Sequence, residues 1–156
     1  TDRHFDNWGL LVNKMGKNLF APIYDCGSSL GALLSDEEME ILLNNFTEFK
    51  NKEFNIASCY SMNGNRIFYH KIFKNPPTEL MSAIKRTIPK INMNEITKII
   101  NSTEIISDTR KKYLNKSVNM RYTEILLPAL KRHNQNEADF TEGIENECED
   151  DRDLEI

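Results

Sequence analysis

Cysteine is scarce in this 156-residue chain, and what there is rules out two classes of small domain. Cys26, Cys59 and Cys148 are odd in number and far apart, so they do not form the even framework of a disulfide-stapled fold. Nor do they give the close Cys/His spacing of a zinc site. A reducing, cytoplasmic setting fits that usage. No apolar run approaches the roughly 18 residues of a membrane span, and the chain reads as soluble. The chain starts Thr1-Asp2-Arg3-His4, with neither a Met nor a basic and then apolar leader, and is expected to be a piece of a longer protein. There is no internal repeat and no recognition-helix motif. With 20 Lys+Arg against 24 Asp+Glu, direct nucleic-acid binding is not expected.

What charge there is lies unevenly. From 134 to 156 ten Asp and Glu face Arg152 alone, which leaves a net +5 on the remainder. Such a segment has too little apolar surface to offset its ordering entropy, so 134–156 is read as an acidic, disordered tail and 1–133 as one domain.

Hydrophobic patterning within 1–133 predicts a mainly α protein with a small β-hairpin. Trp8 to Val12 and Leu19 to Ile23 are short apolar runs around a polar turn containing Gly16, with Pro22 limiting the second strand. Ser35 and Glu38 form a capping-box pattern for a helix to about Lys50. Residues 51–66, with Asn63-Gly64, read as loop and turn, with a short strand from Ile67. Pro76-Pro77-Thr78-Glu79 stops one element and starts a helix that Pro89 ends. Asn94 is expected to cap the next helix and Asp108 a longer one, kinked or ended by Pro128.

Chemistry concentrates at the start. Asp2, Asn7 and Asp25 are polar groups at the margins of the apolar strands. Phosphoryl transfer from ATP asks for such a set: a carboxylate to orient the attacking hydroxyl, and oxygen ligands for Mg2+. With Gly16 at the centre of the turn, Leu10 would face Pro22 and Asn7 would face Asp25. Opposed Cα atoms in such a pair lie about 4.5–5.5 Å apart, close enough for two side chains to share one ion.

The stretch Asp2-Arg3-His4-Phe5-Asp6-Asn7, followed by Ala21-Pro22-Ile23-Tyr24-Asp25 and Gly27-Ser28-Ser29-Leu30, resembles the catalytic and metal-binding motifs of HipA-like serine/threonine kinases. The specific match covers about the first 31 residues; the helical remainder agrees in class. The resemblance implies the C-terminal lobe of a kinase-like fold, with Asp2 as catalytic base, Asn7 and Asp25 as Mg2+ ligands, and His4 supporting the loop. It also implies ATP as co-substrate, a protein hydroxyl as acceptor and an antitoxin-like protein as a partner. The Gly-rich ATP loop and ATP-binding Lys would lie before Thr1, so residues 1–156 alone are expected not to turn over ATP. A similar Asp-Arg-His-x-x-Asn loop occurs in phosphatidylinositol kinases, which leaves a phosphoinositide-type kinase as an alternative. A non-catalytic interaction module retaining the motifs is another. Cys26, Ser28 and Ser29 are assigned packing, turn or capping roles, and His70 and His133 none.

Overall fold

The computed structural model describes residues 5–132, so Asp2, His4 and the 134–156 tail lie outside the described residues. As patterning predicted, the described part is mainly helical, with two small antiparallel sheets.

A 3-10 turn (Phe5–Asn7) leads into the first hairpin, β1 (Leu10–Val12) and β2 (Asn18–Phe20). Its register corrects the expected one. Leu10 pairs with Phe20 rather than Pro22, and Leu11 with Leu19. The turn is centred on Met15, because Asn13 donates its N–H to the Lys17 carbonyl at 3.0 Å. Asn13 Oδ1 accepts from Met15 and Lys17 (both 2.9 Å), while Gly16 takes the left-handed conformation, φ +75°, that such a turn needs at its last position. One further bond, Ala21 N–H to the Gly9 carbonyl at 2.9 Å, extends the ladder; Pro22 has no N–H to continue it.

The capping box at Ser35 forms as expected and opens α1 (Asp36–Asn44). The single helix expected to about Lys50 is instead two, since Asn45 adopts an extended backbone and serves both ends. Its N–H closes α1 on Ile41 and Leu42, and its Oδ1 accepts from Glu48 at 3.1 Å to open α2 (Phe46–Phe54). The expected loop beyond is a second hairpin, β3 (Ala57–Met62) and β4 (Asn65–Phe68), bulged between Ala57 and Ser61. Asn63 and Gly64 both take positive φ, +51° and +76°, the two-residue turn whose twist matches the flanking strands.

After α3 (Tyr69–Lys74) comes α4 (Thr78–Thr87), which starts behind Pro77 and gives way to a 3-10 turn containing Pro89. The next two caps each fall just before the expected residue. Asn92, not Asn94, caps α5 (Met93–Ser102), its Oδ1 accepting from Asn94 and Glu95. Ser107, not Asp108, caps α6 (Asp108–Arg121); Asp108 sits in the first turn, where a carboxylate complements the helix dipole. Pro128 does not end this helix. The chain widens into a π turn (Tyr122–Leu126), in which Leu127 N–H reaches back to the Tyr122 carbonyl, and stays helical through 132. The wider turn accommodates the ring and the missing N–H that would disrupt a regular one.

Two apolar clusters hold these elements. Met39, Phe49, Tyr113 and Met120 join α1, α2 and α6; Ile84, Ile88 and Ala129 join the end of α4 to the helix beyond the π turn. The long α6 strut therefore contributes to one cluster and its extension to the other, and neither cluster includes a residue of the first hairpin.

Candidate active site

Asn7 and Asp25 both stand at the open end of the first hairpin. Beyond the Gly9–Ala21 bond the strands stop pairing, so ladder register does not hold them. A side chain does: the Tyr24 hydroxyl donates to the Asp6 carbonyl at 2.9 Å. The residue before Asp25 is thus tied to the residue before Asn7 across 18 positions of chain. Gly9 lies beside this hydroxyl, where a Cβ would make an ordinary van der Waals contact at 3.6 Å. The two ligand candidates differ in setting. Asn7 is 2% exposed, whereas Asp25 is open to solvent on a left-handed backbone, φ +53°, which Asp tolerates better than most residues. The pair offers one amide and one carboxylate oxygen, hard donors that fit Mg2+. Among the described residues, no three His, Cys, Asp or Glu side chains gather as a metal cage. Mg2+ commonly takes only one or two protein ligands and completes its shell with phosphate and water.

The chain after Asp25 runs as successive turns, with Ser29 N–H on Cys26, Ala32 on Ser29 and Leu34 on Gly31. Its far end is pinned by Arg110, whose Nη2 donates to the Leu34 carbonyl at 2.6 Å while its Nε lies 3.6 Å from Asp36. Gly31 cannot be replaced without strain: φ is +72°, and a Cβ would lie 2.8 Å from the Tyr113 ring.

Behind this segment lies a cleft of about 450 Å³. Its floor holds Glu53, which is 3% exposed yet charged and fully engaged. Tyr113 Oη donates to its Oε1 at 3.1 Å, while Ser117 Oγ (2.8 Å) and Arg121 Nε (2.5 Å) donate to Oε2. Burial, then the charge of Glu53, pushes the Tyr113 phenol well above its ordinary range, which keeps it a neutral donor. A buried carboxylate is tolerated because each oxygen is hydrogen-bonded and a guanidinium balances its charge.

The sequence reading missed Tyr24 and the Glu53 network. For the network a signal was present. Phe49 and Glu53 share a face of α2 at i, i+4, and Tyr113, Ser117 and Arg121 repeat at i, i+4, i+8 on α6, so an acid on one apolar face meets three donors on another.

No protein-family model matches the chain. It is 30% identical over 129 residues to the serine/threonine-protein kinase CtkA of Helicobacter pylori, covering 80% of this chain and 40% of that protein. The chain is homologous to part of a bacterial serine/threonine protein kinase. The crystal structure of the proinflammatory kinase CtkA of H. pylori superposes with a TM-score of 0.81 at 29% identity, over 87% of this chain and 51% of CtkA. The chain therefore spans about half or less of the kinase it matches, and it shares the fold of that part. Among the described residues no helix is long and apolar enough to cross a membrane.

Proposed function

We propose that residues 1–133 are the C-terminal lobe of a HipA-like serine/threonine kinase, that 134–156 are an acidic tail, and that the intact protein transfers the γ-phosphate of ATP to a protein hydroxyl. The reading rests above all on one observation: a chain related to a serine/threonine kinase brings Asn7 and Asp25 to the same end of one hairpin, with Tyr24 clamped to Asp6 between them. Asn7 and Asp25 would hold Mg2+, which when bound offsets the charge of the phosphates. Asp2 orients the acceptor hydroxyl and takes its proton as the new O–P bond forms and the bond to ADP breaks. His4 supports the loop that carries Asp2.

The test uses the full-length protein with Mg2+, γ-labelled ATP and, in parallel, a cell-protein extract and phosphatidylinositol vesicles. Label on Ser or Thr of protein, lost in Asp2→Asn and Asp25→Asn, is the expected result. Label confined to lipid, or no transfer to any acceptor, would overturn the reading.

A further inference from the structure

We propose that the cleft behind the 26–34 segment is a docking site for an acidic side chain of the protein substrate. This rests on the kinase reading above and names the class of sequence the enzyme would prefer.

The cleft is asymmetric in charge. On its floor the Glu53 carboxylate is neutralised by Arg121, and its two oxygens are occupied by three donors. Two further cations line the cleft, Lys52 from α2 and Arg66 from β4. Arg66 spends its Nε on the Ser58 carbonyl at 2.9 Å, which fixes the guanidinium plane and leaves both Nη groups as a fork. Lys52 has no ion-pair or hydrogen-bond partner among the described residues, and both side chains are exposed. The cleft thus carries two uncompensated positive charges in a concave site, where low-dielectric walls strengthen attraction for an anion. Asn55 adds an amide beside them.

Position makes this a substrate site rather than a remote patch. Ser28 lines the loop wall and lies three residues after Asp25, so the two Cα atoms are at most about 11 Å apart even for fully extended chain. An extended peptide whose hydroxyl meets the transfer centre covers that distance in about three residues at ~3.3 Å each. A Glu or Asp about three positions from the acceptor Ser or Thr would therefore come to the Ser28 edge of the cleft that Arg66 and Lys52 also line, and its carboxylate would seek those two cations. The contact would be partly exposed, and so salt-sensitive.

The experiment uses full-length protein, Mg2+·ATP and fluorescent Ser peptides carrying Glu or Gln at the third position on either side of the acceptor. The Glu peptide is expected to show a KM at least fivefold lower than its Gln counterpart in one of the two directions, with similar kcat. Lys52→Ala and Arg66→Ala should each bring that ratio towards one, Lys52→Arg should restore it, and raising salt should erase it. Turnover without discrimination between the peptides would overturn the proposal and leave the kinase reading standing. Fluorescence anisotropy without ATP separates the opposite case, in which selective binding of the Glu peptide without any turnover would support the site and sink the kinase reading.

Discussion

The first hairpin and the α2–α6 interface are near opposites. In the hairpin, apolar side chains stand in the open: Val12 is 67% exposed, Phe20 78% and Ile23 79%, with the aromatic pair Trp8 and Phe20 on its surface. At the α2–α6 interface a carboxylate is shut inside, four residues from buried Phe49 and bound by three donors, Tyr113, Ser117 and Arg121. The hairpin gains little stability from its own burial; turn chemistry, the Tyr24–Asp6 bond and the Trp8–Phe20 contact are among its supports. The interface carries the fold. The candidate ligands sit on the first and the cleft on the second, so substitutions should separate chemistry from stability.

The largest effect should come from the hairpin and leave stability alone. If Asp25 holds Mg2+ as proposed, Asp25→Asn in the full-length protein should lower kcat by about 100-fold or more, since it would remove a charge that positions the transferring phosphate. The side chain is exposed and Asn also tolerates positive φ, so unfolding free energy should change by no more than about 0.5 kcal/mol. A comparable loss of denaturant midpoint would erase the contrast between the two regions.

Glu53→Ala should do the reverse. It strands the guanidinium of Arg121 and the hydroxyls of Tyr113 and Ser117, a change that typically costs about 3–5 kcal/mol. Urea unfolding checks this, and a loss under 1 kcal/mol would show that the network is not what closes the interface. Gly31→Ala should cost about 1–3 kcal/mol, because it combines a positive φ with a contact against the Tyr113 ring. Its effect should shrink in Gly31→Ala/Tyr113→Leu, where the aromatic ring is gone.

The raised pKa of Tyr113 gives the interface a pH dependence of known sign. Above the ordinary tyrosine value of 10.0 the unfolded chain gives up this proton while the folded protein keeps it. Stability from this group is therefore full below pH 10 and falls as pH rises beyond it, by up to about 1.4 kcal/mol per unit. Tyr113→Phe should lose less stability between pH 10 and 11 than the unsubstituted protein; parallel losses would refute the assignment. The smallest effect is expected from Tyr24→Phe. It removes one hydrogen bond worth about 1 kcal/mol and should raise the Mg2+ concentration needed for half-maximal turnover more than it lowers thermal stability.

The same contrast explains which features could be read in advance. Spacing and motif mark Asn7 and Asp25 as candidate Mg2+ ligands, and both stand at the hairpin's open end; Asp2 and His4 lie outside the described residues. The expected Asn7–Asp25 register failed because Gly16 ends its turn instead of centring it, and what ties the two segments is Tyr24, which no periodicity marks.

Features set by residues within about four positions of one another were determined by the sequence alone: the capping box at Ser35, the stop at Pro22, the start after Pro77 and the end of α4 before Pro89. Their energies are local, since each side chain or ring satisfies or removes a backbone group next to it. Only the tertiary structure decided that Glu53 would be buried, that Gly31 would lie against Tyr113, and that Lys52 and Arg66 would share a cleft. Those arrangements depend on pairs as far apart as the 60 residues between Glu53 and Tyr113 and the 68 between Glu53 and Arg121. The worth of such pairs comes from the removal of water around them, and that exists only once the helices have packed.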